Sequence, residues 1–198
     1  MIPEVFKKYF FYERRKLVEK MLAGEAVENN ELYLQFTRAL PAIVSNGPEG
    51  LNASIKMVGF VPKEEYLTDI ISKIKDLVAK KVKGKKVIEF LLNEIYVEEK
   101  IDFTKIGTLD LAKKRTWGNL KNGGEAVLIF FTPVETSFMI KAKVKTFTEG
   151  PYYLYMNLLH DIFHVGPVIR KKGNPTYIFE IEEIWDKSLN AFGKKIYP

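Results

Sequence analysis

Three consecutive cations, Lys113, Lys114 and Arg115, run directly into Thr116, Trp117 and Asn119, and Thr108 stands a few residues upstream at the end of a β-prone run. Residues of these types at this spacing can cradle a phosphate. Amide N–H groups at the start of a helix favour an anion, as does the helix dipole. A guanidinium adds charge-assisted and often bidentate hydrogen bonds, and the two threonine hydroxyls add donors. The competing reading is a solvated basic helix between two strands, and the segment by itself leaves both open.

Other reaction chemistry finds little support. The chain has no cysteine, which excludes disulfides, thiolate-bound zinc, iron–sulfur clusters and thiol catalysis. Redox chemistry would have to come from a bound cofactor. His160 and His164 stand four apart on an expected helix with Asp161 between them, the geometry of a two-histidine metal grip. No third ligand follows at a recognisable spacing, so ordinary surface or interface histidines are the better reading and no metal is expected. Gly-x-Ser-x-Gly, Walker and GxGxxG motifs are absent. The pairs Glu98–Glu99 and Glu182–Glu183 read as solvated faces. No residue is assigned a catalytic role.

The elements that must position the cationic stretch come next. A chain of 198 residues, 46% apolar and 13% aromatic, describes one folded domain over residues 1–198. The charge balance of 31 basic against 25 acidic residues gives +6 and favours anionic partners, either a phosphorylated cofactor or nucleic acid. No apolar run is long enough to span a bilayer, and the first residues lack a signal-peptide pattern. A cytoplasmic protein with no membrane partner is therefore expected. The lysine- and glutamate-rich, cysteine-free composition also suits a thermophile.

Residues 1–38 read as an N-terminal helical extension, in which residues 4–23 carry Phe6, Phe10, Leu17 and Met21 near helical spacing and end at Gly24. The aromatic run Tyr9 to Tyr12 reads as packing. Residues 40–45 and 51–61 form two β-prone runs joined by a five-residue turn, Asn46 to Gly50, and predict a hairpin. Residues 63–95 change character. Leu67, Ile70, Ile71, Ile74, Leu77 and Val78 recur at helical spacing, and a second helix follows Gly84, so this segment reads as a helical insertion covering an open end of the sheet. Residues 125–131 predict a central strand buried on both faces, and residues 137–148 a strand with alternating lysines. A helix over 151–163, a last strand over 176–185 and an irregular tail complete the chain. About six strands without regular βαβ alternation predict an α+β fold, a mostly antiparallel barrel with peripheral helices.

Taken in order, several segments resemble the pyridoxamine 5'-phosphate oxidase-like FMN-binding split-barrel superfamily. The run from Ala42 through Asn46-Gly47 to Ser54 resembles its first hairpin, and Lys114 to Leu120 resembles its Ser/Thr-Arg-Lys-x-x-Asn-Leu helix. Asn122 to Phe131 resembles the strand after that helix, Phe138 to Gly150 its next strand and break, and Ile178–Trp185 with Phe192 to Ile196 its last strand and tail. The resemblance covers residues 39–61 and 100–198 and implies a six-stranded split barrel, a homodimer and FMN at the dimer interface. It implies cofactor contacts at Thr108, Lys114, Arg115 and Thr116, and at Ser54 and Lys56 on the second strand. Thr116 stands where many members carry lysine, so the charge of the phosphate grip falls to Arg115 and Lys114. Trp117 is a candidate to stack on a ring and Asn119 to orient the loop.

The expected activity is that of an FMN-dependent oxidoreductase acting with a small-molecule electron donor or acceptor, with FAD or a deazaflavin as the alternative cofactor. A flavin-binding or sensor module without catalysis is a second expectation. A basic barrel binding nucleic acid through lysine faces at 73–86 and 141–145 ranks below both, because aromatics are not interleaved with the lysines as single-strand binders require.

Overall fold

The computed structural model of the chain describes residues 1–134, 136–163 and 173–198, together with the backbone of His164. Eight strands form one sheet: β1 (Ala42–Ser45), β2 (Asn52–Ile55), β3 (Gly59–Pro62), β4 (Ile101–Leu109), β5 (Gly124–Thr132), β6 (Thr136–Phe147), β7 (Thr176–Asp186) and β8 (Lys194–Tyr197). Their order is β2-β1-β5-β6-β7-β4-β3, with β8 also pairing β7, and every pairing is antiparallel. The sheet is open between β2 and β3. An α+β fold with an antiparallel sheet and peripheral helices is therefore present.

The expected count of six strands is corrected to eight. The run 51–61 is broken at Lys56–Val58, so that β2 stays with β1 while β3 crosses to β4. One expected strand thus supplies both edges of the sheet. The tail, expected to be irregular, forms β8 on β7. Four residues are too few for an alternating pattern to declare itself.

β5 is buried on one face only, a second correction. Leu128 and Phe130 are buried, but Ile129 and Phe131 are 40% and 55% exposed on the other side. On its outer face this apolar run has little cover from the described residues.

The main core lies on the inner face. α1 (Glu4–Lys7), a π turn (Lys8–Tyr12) and α2 (Glu13–Ala23) make one continuous helical segment, and Gly24, at φ 76°, closes it in the left-handed conformation that glycine adopts readily. Phe6, Tyr9, Phe10 and Phe11 are buried against the sheet, with Phe6 meeting Phe130 and Phe138 edge-on at centroid separations of 5.7 and 5.3 Å. The expected packing role of the aromatic run is what the structure shows. Met21 is exposed at the end of α2, and Val18 joins Leu17 on the inward face. α3 (Asn29–Arg38) follows.

A second core forms where α4 (Glu64–Ala79) buries Leu67, Ile70, Ile71, Ile74 and Val78 against Tyr152, Tyr155 and Leu158 of α7 (Gly150–His164) and against Ile178 of β7. α5 (Lys85–Phe90) and a π turn (Leu91–Ile95) complete the insertion. Among the described residues no helix is long and apolar enough to cross a membrane. The short α6 (Arg115–Leu120) lies between β4 and β5, and Arg115, the last of the three cations, begins it.

Candidate functional site

α6 buries Leu120 in the main core and is fastened to the β1–β2 hairpin by polar side chains. Asn119, almost fully buried, donates from Nδ2 to the Gly50 carbonyl at 2.8 Å and more weakly to Ser45, and its Oδ1 accepts the Glu49 amide at 2.8 Å. The contact is close: a Cβ on Gly47 would stand 3.1 Å from Asn119 backbone atoms, so any residue larger than glycine fits the hairpin turn there only with adjustment. Thr116 Oγ1 donates to Ser54 Oγ at 3.0 Å and accepts from Asn52 Nδ2 at 2.9 Å. Arg115 is exposed, and its Nη2 donates to the Glu49 carbonyl at 2.7 Å.

Below this contact lies a buried polar cluster. Lys56 Nζ is 3.3 Å from Asp110 Oδ1, with side-chain exposures of 11% and 1%. Asp110 also accepts the Lys113 amide at 2.9 Å and the Tyr177 hydroxyl at 2.6 Å. Burial, and then the bond to the Asp110 carboxylate, hold the Tyr177 hydroxyl protonated well above the usual tyrosine range. Thr108, also buried, donates to the Met57 carbonyl at 2.6 Å.

The structure thus gathers the eight sequence-predicted residues at one end of the sheet but divides their work. Thr108, Thr116 and Asn119 are buried, with their polar atoms engaged by the hairpin. Lys56 is paired with Asp110. Trp117 is half-buried and packs against the main core. Lys114 and Arg115 face solvent, and the Ser54 hydroxyl retains its proton for a further acceptor. Arg115 donates to the Glu49 and Leu51 carbonyls from Nη2, which among the described residues leaves Nε and Nη1 to meet an anion. What this corner can do chemically is bind a negatively charged group on a braced guanidinium and a neighbouring ammonium.

Sequence reasoning missed Asn52 and Asp110. Asn52 is on the Ser54 face of the same strand, two residues away, and Asp110 is the one acid immediately ahead of the three cations. Both signals were present. On the far side of the hairpin an open cleft of about 650 Å³ is lined by Asn46, Leu51, Glu125, Lys141, Glu183 and Lys195, among others, and none of the eight residues lines it.

The remaining candidates are placed as follows. Lys141 and Lys145 reach across to Glu183 and Glu180 of β7 at 3.1 and 2.7 Å, so this lysine face carries its own countercharge. His160 Nδ1 is 3.0 Å from Asp161 Oδ1, and the His164 side chain lies outside the described residues. Among the described residues no group of three or more histidines and carboxylates could hold a metal.

No protein-family model matches the chain, and no curated protein sequence matches it. Solved structures do share its fold. HupZ of Group A Streptococcus superposes with a TM-score of 0.51 at 11% identity, covering 86% of this chain and 99% of that one. An FMN-binding protein from Syntrophomonas wolfei subsp. wolfei gives 0.46 at 13% identity over 90% of each chain. A Clostridium acetobutylicum protein of the pyridoxinephosphate oxidase family, related to general stress protein 26 of B. subtilis, gives 0.45 at 14% identity, covering 90% of this chain and 93% of that one. At 11% identity the likeness to HupZ speaks for the fold alone.

Proposed function

We propose that the chain is an FMN-binding flavoprotein of the pyridoxamine-phosphate-oxidase-like kind, acting as a cytoplasmic homodimer in oxidoreductase chemistry. The observation that carries the reading is the exposed Arg115–Lys114 corner, whose guanidinium is braced by the Glu49 carbonyl. Lys114, Arg115 and the Ser54 hydroxyl would hold the phosphate, and they fit a single terminal phosphate in charge and donor type. When bound, the flavin would exchange electrons with a small-molecule donor or acceptor. The chain's own part is to bind and orient: Asn119 fixes the hairpin turn, and Thr116 fixes the start of α6 on Ser54.

The dimer is supported by the uncovered outer face of the sheet. Ile55, Met57, Ile129 and Phe131 are 63%, 39%, 40% and 55% exposed, and the register places Ile55, Ala42 and Ile129 in one cross-strand row. A contiguous apolar face of this kind marks an interaction surface. A second copy of the chain is the occupant we assign to it. Replacing Phe131 with Glu is expected to give monomers in sedimentation velocity without loss of secondary structure; an unchanged dimer would remove this face from the interface.

For the cofactor, protein equilibrated with FMN, FAD or a deazaflavin and desalted is expected to retain FMN with a visible flavin spectrum. Arg115→Ala is expected to weaken FMN binding roughly ten- to a hundredfold, the value of a charge-assisted hydrogen bond of about 1.5–3 kcal/mol. Retention of none of the three would overturn the reading. A second reading, flavin binding without turnover, draws on the lack of a histidine among the described residues of the corner, where the exposed carboxylate, Glu49, lies against Gly118. Anaerobic addition of NADH or NADPH decides between the two: bleaching of the bound flavin and its return with an acceptor mark the oxidoreductase.

A further inference from the structure

The turn between α4 and α5 and the start of α5 run Lys80, Lys81, Val82, Lys83, Gly84, Lys85, Lys86, and all five lysines are exposed. This stretch contains no acid; Asp76 and Glu89 are the nearest in sequence. Several lysines elsewhere find partners: Lys73 and Lys100 meet Glu94, and Lys141, Lys145 and Lys195 meet Glu183 and Glu180. Among the described residues no ion pair or hydrogen bond reaches the side chains of Lys80, Lys81, Lys83, Lys85 or Lys86. The turn is nonetheless fixed, since the Lys81 amide donates to the Val78 carbonyl and the Val82 amide to the Leu77 carbonyl, each at 3.0 Å.

Next to these lysines is a groove of about 460 Å³ lined by Met21, Leu77, Val82, Val87, Ile88 and Phe163, together with four other residues of the same helices and turn. Met21 and Phe163 are 42% and 48% exposed. Uncompensated cations packed along one turn favour an anionic surface, each lysine contributing about 1 kcal/mol near acidic lipid. Apolar side chains among them can enter the headgroup–acyl boundary. Nucleic-acid grooves place stacking aromatics between their cations, whereas the one apolar side chain interleaved among these lysines, Val82, is aliphatic.

We propose that the α4–α5 turn and its groove form a peripheral docking site for an anionic lipid bilayer, separate from the Arg115 corner and sharing no residue with it. The protein sits on the surface through Lys80–Lys86 and inserts Met21 and Phe163; it does not span. The test is co-sedimentation of the full chain with vesicles of pure phosphatidylcholine and of phosphatidylcholine with phosphatidylglycerol. Binding is expected only to the second kind and is expected to weaken with added salt. Lys81→Gln, Lys83→Gln and Lys85→Gln combined should lower the partition coefficient roughly a hundredfold, with an unchanged circular dichroism spectrum as the folding control. Met21→Ser with Phe163→Ser should weaken binding while keeping its salt dependence. Equal binding to both vesicle types, no binding to either, or tighter binding to single- or double-stranded nucleic acid than to acidic vesicles would each overturn the proposal.

Discussion

α4 and α6 are held to the same molecule by different means. α4 is sixteen residues long and docks through a stripe of five buried apolar side chains. α6 has six residues; it sinks Leu120 into the main core, and Arg115, Thr116 and Asn119 hydrogen-bond to a hairpin some sixty to seventy positions away. An apolar stripe is strong but non-directional. Hydrogen bonds from a buried amide tolerate only a few tenths of an ångström. The first arrangement supplies stability, and the second fixes positions, which is what a pair of exposed cations needs in order to meet one anion.

Mutations can break this comparison at either end. The largest effect is expected from Asp110→Ala, which leaves Lys56 enclosed without its counter-charge and should cost about 3–5 kcal/mol in chemical denaturation. Ile74→Ala, at a fully buried position of α4, should cost about 2–5 kcal/mol and leave FMN retention unchanged. Asn119→Ala should cost about 1–3 kcal/mol, yet it should speed hydrogen exchange at the Glu49 amide and weaken FMN retention. A larger global loss from Asn119→Ala than from Ile74→Ala would reverse the division drawn here.

The smallest effect concerns pH. Glu183 accepts from the Trp185 indole and then from Lys195 and Lys141, which lower its pKa from 4.5 to about 2. A depressed carboxylate contributes stability that is present above its unfolded value and lost as pH falls through the folded one. The wild-type midpoint should therefore fall between pH 4.5 and 2, and Glu183→Gln should flatten that part of the profile.

How much of this was readable in the sequence depends on which force held each part. α4 announced itself, because a sixteen-residue apolar stripe is a periodic signal. The hairpin was legible from Asn46-Gly47, and β6 from its alternating lysines. The split of 51–61 into β2 and β3 was not, because the change of pairing partner is a tertiary event that leaves both halves equally β-prone. β5 read as central because its outer residues are apolar; their exposure shows that an apolar run reports what a face suits, whether or not the same chain covers it. At the site, residue types singled out the cations but could not show that Thr116 and Asn119 turn inward, since which side of a six-residue helix faces the hairpin is settled only by packing.

The π turn at Lys8–Tyr12 has a consequence for chain length. It holds one residue more than an α-helix of the same downstream phase, which lets Tyr9, Phe10 and Phe11 all enter the core in succession. Deleting the exposed Lys8 should relax the turn into plain α-helix while Leu17 and Val18 keep facing inward. The same one-residue deletion inside α2 would rotate everything after it by about 100°. The turn is thus the one place in the first helical segment where the chain can change its length without changing its face.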